Sequence, residues 1–83
     1  MKRQIRIKVL FFGATAEITK TREMNIKIPA DMKAGELLNQ MLHKFPSLKN
    51  HSLLLAVNQE YANAEKILED RDEIAIFTPV SGG

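Results

Sequence analysis

Alternation of apolar and polar residues near the start of the chain predicts a β-strand over residues 5–12. One face of this strand is apolar throughout and is expected to enter a core: Ile5, Ile7, Val9 and Phe11. The other face begins charged and ends apolar: Arg6, Lys8, Leu10 and Phe12. An apolar end on an outward face is unusual, because an outward face normally meets water.

A second strand and two helices are predicted next. A short helix fits residues 14–20, and residues 22–28 alternate again, which predicts a strand antiparallel to the first. The clearest helix spans residues 34–45, where apolar side chains recur on one side: Leu37, Leu38, Met41, Leu42 and Phe45. Asp31 is expected to cap the start of this helix, and Pro46 ends it.

The second half of the chain continues with strands. Residues 53–57 are apolar without interruption, which is typical of a buried strand. Asn58 begins a turn, and residues 59–62 are compatible with a short edge strand. Ile67 and Leu68 are expected to anchor the following segment in the core.

The last strand is predicted over residues 73–78, after a charged turn at residues 69–72. The element order then indicates an α+β protein with a β-grasp roll: one main helix across a mixed sheet of four or five strands, in a single domain over residues 1–83. If the last strand pairs with the first, four apolar side chains converge on the uncovered face: Leu10, Phe12, Ala75 and Phe77. Such a patch indicates a protein-binding interface, the alternative being that a loop covers it.

Composition narrows the possible functions. The 83 residues contain no cysteine, which excludes disulfides, thiolate metal sites and a cysteine nucleophile. The net charge of +2 is spread along the chain, and one Tyr without Trp offers little for stacking bases, so no nucleic-acid partner is expected. No apolar run is long enough to span a bilayer, and we expect a cytoplasmic protein with no membrane partner.

No internal active site is evident in the sequence. His43 and His51 lie in different predicted elements and lack the spacing of a metal site, so no metal ligands are assigned. The acidic residues around the turn at 69–72 do not follow a calcium-binding pattern, and no catalytic triad or phosphate-binding loop is present. The unusual reactive group that remains is the carboxyl group of Gly83.

A flexible tail is predicted over residues 79–83, where Pro79 ends the last strand and Val80, Ser81, Gly82 and Gly83 follow. Fully extended, these five residues reach roughly 16 Å beyond the fold. The two glycines lack a Cβ and so fit a narrow channel in a partner, although a frayed end is the simpler interpretation of the tail alone. Adenylation of Gly83 would activate its carboxyl group, and replacement of one oxygen by sulfur would give a thiocarboxylate.

Three segments of the chain, residues 9–13, 57–61 and 72–83, resemble the small subunits of molybdopterin synthase. The members of that family are ubiquitin-like sulfur carriers. The resemblance implies that an activating enzyme uses ATP to adenylate Gly83 and that a sulfur donor system forms the thiocarboxylate. It further implies a heterotetramer with two large subunits, whose own residues catalyse sulfur transfer to cyclic pyranopterin monophosphate. No cofactor would be bound by this chain itself.

The sequence departs from the family pattern at three places, one of which is Thr78-Pro79, where the family often has two prolines. Arg71 stands where the family usually has glycine, at a cost on the order of 1 kcal/mol if that position needs a positive φ. Lys33 stands where threonine often caps the main helix. Three alternatives stay open: a sulfur carrier for thiamine or tRNA thiolation, a ubiquitin-like protein modifier, and a structural module with an inert tail.

Overall fold

Five strands form one mixed sheet in the order β2-β1-β5-β3-β4. The computed structural model describes residues 3–79, so the predictions for Val80, Ser81, Gly82 and Gly83 lie outside the described residues. The elements are β1 (Gln4–Phe11), α1 (Ala14–Thr19), β2 (Glu23–Pro29), α2 (Ala34–Lys44), a 3₁₀ helix (Pro46–Asn50), β3 (Leu54–Val57), β4 (Glu60–Tyr61) and β5 (Glu73–Phe77). The predicted α+β architecture, with one main helix and a mixed sheet, is confirmed.

The first and last strands lie side by side at the centre of the sheet. β1 and β5 are parallel, with Leu10 opposite Ala75, whereas β1–β2, β3–β5 and β3–β4 are antiparallel. Because β5 has a neighbour on each side, the end of the described chain is held by ladders on both edges. The predicted pairing of the last strand with the first is therefore confirmed.

One face of the sheet, called here the closed face, is covered by the helices. Side chains from the sheet, α2 and the 3₁₀ helix form a core in which several residues are fully inaccessible to solvent: Val9, Leu37, Leu48, Ile74 and Ile76. The ring of Phe11 meets that of Phe45 edge to face, with centroids 5.7 Å apart. The predicted inward faces of β1 and β5 are thus confirmed.

The prediction that Asp31 caps α2 is wrong. Asp31 has a φ of +72°, and the residue at the N-cap position is Lys33. The backbone N–H of Lys33 instead donates to Glu36 Oε1 at 2.9 Å, so a side chain inside the first turn satisfies the cap residue. Lys33 Nζ also donates to Glu65 Oε2 at 2.8 Å, and this hydrogen bond raises the pKa of Lys33 and lowers the pKa of Glu65.

The segment after β4 does more than anchor the chain in the core: its carbonyl groups also accept hydrogen bonds from the first turn of α2. Ala34 and Gly35 donate their N–H groups to the carbonyls of Lys66 and Ala64, which satisfies two otherwise unpaired groups of the first helical turn. A Cβ on Gly35 would lie 2.7 Å from that of Ala64, so glycine is needed for this approach. Only Leu68 of the two predicted anchors is buried.

Two further predictions are corrected. Ile67 is 49% exposed, because neighbouring side chains of an extended segment point to opposite sides and Leu68, which is 2% exposed, takes the inward one. β3 is buried on one face only: Leu55 and Val57 enter the core, while Leu54 and Ala56 are partly exposed. No helix within residues 3–79 is long and apolar enough to cross a membrane.

Candidate functional site

The face of the sheet opposite the helices, called here the open face, carries a continuous apolar region at one end. Ala75 of β5 is opposite Leu10 on one side and Ala56 on the other, and Ala56 is in turn opposite Tyr61. Leu54 is opposite Phe77 on the same face, so this apolar end consists of seven side chains: Leu10, Phe12, Leu54, Ala56, Tyr61, Ala75 and Phe77. The structure therefore brings together the four residues that the sequence predicts as an interface.

An open groove of about 450 Å³ runs through the apolar end. Phe12, Ala75 and Phe77 line it together with Pro79, the last residue described. Phe12 is 52% exposed although it is a large apolar side chain, and no loop within residues 3–79 covers it. The groove thus lies where the chain leaves the sheet, which is where a partner that takes the tail would also have to bind.

Tyr61 is part of this region and is missed by the sequence prediction. Its ring lies 5.9 Å from that of Phe77, centroid to centroid, although the two residues are on strands on either side of β3. Ala56 lies between these strands and presents only a methyl group, which leaves room for the contact. A two-residue turn pairs Val57 with Glu60, and counting one further pair from that turn would have placed Tyr61 opposite Ala56.

Asn58, in the Val-Asn-Gln-Glu-Tyr segment, fixes this hairpin to the start of β5. Asn58 and Gln59 both have positive φ, at 51° and 70°, as expected for the tight turn of a hairpin. Asn58 Nδ2 donates to Asp72 Oδ1 at 2.8 Å, and its Oδ1 accepts from the N–H of Glu73 at 3.0 Å. One of the three segments that carry the family resemblance, residues 57–61, therefore orients one side of the groove.

Thr15 fixes the other end of β5. Its hydroxyl lies 2.7 Å from the carbonyl oxygen of Ile76 and 2.8 Å from that of Phe12, and the side chain is fully buried. The N–H of Phe12 donates to the same Ile76 carbonyl at 3.3 Å. The short helix α1 thus ties together the ends of β1 and β5, and with them the two phenylalanines that line the groove.

The described residues offer no metal site. Within residues 3–79 no three side chains from His, Asp and Glu gather closely enough to hold an ion. His43 and His51 are both exposed, on α2 and after the 3₁₀ helix respectively. Of the predicted tail, Pro79 lines the groove, while Val80, Ser81, Gly82 and Gly83 lie outside the described residues.

Comparison with known proteins agrees with this architecture. The chain is 40% identical over 83 residues to the molybdopterin synthase sulfur carrier subunit of Caenorhabditis briggsae, covering 95% of this chain and 99% of that one. It is similar to a Helicobacter pylori 26695 structure, a protein–protein complex of subunits 1 and 2 of molybdopterin-converting factor (TM-score 0.68, 29% identity, 95% and 100% coverage). It is also similar to small archaeal modifier protein 1 from Methanosarcina acetivorans (TM-score 0.80, 26% identity, 98% and 99% coverage).

Fold and site together define a class: a ubiquitin-like β-grasp domain whose last strand leads out beside an open apolar groove. The family model described as the ThiS family matches residues 9–83. The chain therefore belongs to the ThiS family, and the family resemblance predicted from the three sequence segments is confirmed.

Proposed function

We propose that this chain is the sulfur-carrier subunit of molybdopterin synthase and that it delivers sulfur as a thiocarboxylate on Gly83. The observation that carries the proposal is the 40% identity to a sulfur carrier subunit over nearly the whole of both chains. The structure supports it, because the central strand β5 leads to Pro79 beside an uncovered apolar groove.

The chemistry begins with activation of the carboxyl group, since a carboxylate resists nucleophilic attack. An oxygen of the Gly83 carboxylate attacks the α-phosphorus of ATP on the activating enzyme, and pyrophosphate leaves. A sulfide equivalent from the sulfur donor system then attacks the carbonyl carbon and displaces AMP. The product is a thiocarboxylate, whose sulfur attacks cyclic pyranopterin monophosphate and forms a thioester with it. Water then cleaves the bond between the acyl carbon and sulfur, which leaves the sulfur on the pterin and restores the Gly83 carboxylate. Two such transfers supply both sulfurs of the dithiolene.

This division of labour assigns binding and positioning to the present chain and catalysis to its partner. The chain has no cysteine, so Gly83 is where it would carry sulfur. The large subunit contributes the residues that bind and activate the pterin, in a heterotetramer of two small and two large chains. The chain itself binds no cofactor, and ATP is bound by the activating enzyme.

The apolar end of the open face is the proposed interface with the large subunit. A stable interface covers roughly 800 Å² on each partner, with aromatic side chains as the usual anchors. Phe12, Tyr61 and Phe77 provide three such side chains around one groove. Binding here would aim the tail into the partner, because Pro79 lines the same groove.

Intact mass tests the carrier chemistry directly. The chain, incubated with its activating enzyme, ATP and sulfur donor, should contain a fraction in which one oxygen is replaced by sulfur, located on the C-terminal peptide. A chain that stays unmodified with all components present would contradict the proposal. Covalent conjugates with lysines of other proteins, in place of the thiocarboxylate, would favour the protein-modifier alternative.

Substitution of Gly82 tests whether the tail passes through a narrow channel. Gly82→Ile should lower adenylation, sulfur transfer or both by at least ~100-fold, because a β-branched side chain collides with channel walls and small misplacements at a reacting centre are costly. Gly82→Ala, with a single methyl group, is the matched control and should lose less. Pyrophosphate exchange and single-turnover product formation measure the two steps; near-normal rates for Gly82→Ile would exclude threading.

A further inference from the structure

The end of the open face away from Pro79 is basic. A concave surface of about 560 Å³ there is lined by four cations, called here the basic end: Arg6, Lys8, Lys27 and Arg71. Glu73 is the one acidic residue that lines it. The ion pairs in the described part of the chain are Lys33–Glu65 and Arg71–Asp70, so Arg6, Lys8 and Lys27 form none there.

Two of these cations are paired against each other in the sheet. Arg6 of β1 is directly opposite Lys27 of β2. The N–H of Arg6 donates to Asp70 Oδ1 at 2.9 Å, and its carbonyl accepts from the N–H of Arg71 at 2.6 Å, so neither group bonds to β2. Arg6 and Lys27 therefore form a non-hydrogen-bonded pair, the type in which opposite side chains are closest. Like charges in this position are destabilising.

The third cation also occupies an unfavourable position. Arg71 has a φ of +72°, a left-handed conformation that glycine adopts freely and that is strained for a residue with a Cβ. The turn is fixed by its hydrogen bonds to Arg6, so the Arg71 side chain is kept beside the concave surface of the basic end. The like-charge pair and the strained Arg71 backbone both lower the stability of the fold, and both place positive charge on the same surface. This indicates that the charge serves binding rather than folding.

The basic end is continuous with the proposed interface. Lys8 and Leu10 are two residues apart on the same face of β1, as are Glu73 and Ala75 on β5, which corresponds to about 7 Å. An interface of standard size spans many times that length, so a partner seated on the apolar end also lies over Lys8. Such a partner needs carboxylates opposite the basic end, because the cations that it covers would otherwise lose water without gaining an opposite charge.

We propose that the basic end docks an acidic segment of the same large subunit that covers the apolar end, and that it steers their association. This inference rests on the proposed function, since it names the chemistry of that partner's surface. Arg6, Lys27 and Arg71 are exposed, and exposed charges at the edge of an interface act mainly on the association rate. The apolar end would then govern the lifetime of the complex.

Stopped-flow association with the purified large subunit of the same organism tests the proposal. The double variant Arg6→Glu/Lys27→Glu should associate about tenfold more slowly at low ionic strength, with a nearly unchanged dissociation rate and a difference that vanishes in high salt. The control Lys20→Glu/Lys49→Glu has the same change in net charge but lies at the end of α1 and in the 3₁₀ helix, and should associate normally.

A stability measurement separates docking from a structural role. Lys27→Glu converts a like-charge pair into an opposite-charge pair and should raise Tm by about 2 °C while it slows association.

An association rate unchanged in low salt, or one that both double variants lower equally, overturns the inference and leaves the proposed function intact. Absence of any binding by the unaltered chain overturns both. Salt-sensitive binding of RNA by the basic end, with normal association to the large subunit, overturns the steering role alone.

Discussion

The closed and open faces of the sheet differ although the same strands build them. On β5, Ile74 and Ile76 are wholly inaccessible to solvent, whereas Ala75 and Phe77, one position away, remain partly exposed. On β1, β2, β3 and β5 the closed face is apolar, and the helices cover it. The open face is apolar at one end and basic at the other, with little in the described residues to cover either end. Residues on the closed face therefore report on folding, and residues on the open face report on partners.

Aspartate substitutions at adjacent positions of β5 test this comparison with the largest expected effect. Ile76→Asp should lower the free energy of unfolding by more than about 4 kcal/mol, because it buries an unpaired charge, and this is a third or more of the roughly 4–12 kcal/mol of stability that a domain of this size has. Phe77→Asp should fold, with a loss of about 1 kcal/mol, yet weaken binding to the large subunit by at least ~30-fold.

Thermal unfolding and partner affinity, measured on both variants, separate the two faces. The free energy of unfolding decides where Ile76 lies, and the dissociation constant decides the role of Phe77. A Phe77→Asp chain that fails to fold would mean that the Phe77 side chain is needed for the stability of the core. A folded Phe77→Asp chain with unaltered affinity would remove the apolar end from the interface.

The period-two patterns made much of this contrast predictable. Alternation assigned Ile74 and Phe77 to opposite faces, and the convergence of Leu10 with Ala75 required only the pairing of the first and last strands. Tyr61 was missed, because its contact with Phe77 depends on the register of a hairpin that is set by the turn at Asn58. A pattern within one strand carries no information about a neighbour's register until the turn is defined.

The helix cap and the basic end were missed for a related reason. The N-cap residue is Lys33, and the side chain that accepts its N–H is that of Glu36, in the first turn of the helix. Asp31 lies two residues before the N-cap position. Arg6 and Lys27 are 21 positions apart, so their opposition exists only in the β1–β2 pairing. Charge clusters assembled from several strands leave no local signature in the sequence.

Substitution of Thr15, whose hydroxyl contacts the backbone at the ends of β1 and β5, should have an intermediate effect. Thr15→Val keeps the side-chain shape but leaves the Ile76 carbonyl with one donor fewer, which should destabilise the fold by about 1–2 kcal/mol. Thr19→Val is the matched control on the same helix, since its hydroxyl bonds to Thr15 and Thr21 and not to β5. Both variants should lose similar stability.

Hydrogen exchange distinguishes the two threonine variants. The Phe12 N–H donates to the same Ile76 carbonyl, so Thr15→Val should speed its exchange selectively, beyond the general effect of lower stability. Thr19→Val should change Phe12 exchange only in proportion to its stability. Equal selective changes in both variants would show that Thr15 stabilises α1 without fixing the end of β5.

Arg71 predicts the smallest effect, in the opposite direction. Arg71→Gly should raise the free energy of unfolding by about 0.5–1 kcal/mol, because glycine adopts a φ of +72° without the clash that a Cβ causes. The gain is limited by the greater freedom of glycine in the unfolded chain. Arg71→Ala removes the same charge but keeps the Cβ, so it should give no such gain. Denaturant unfolding of the three chains measures the difference. If alanine stabilises as much as glycine, then repulsion among the cations of the basic end, rather than the backbone conformation, is the cost that Arg71 imposes.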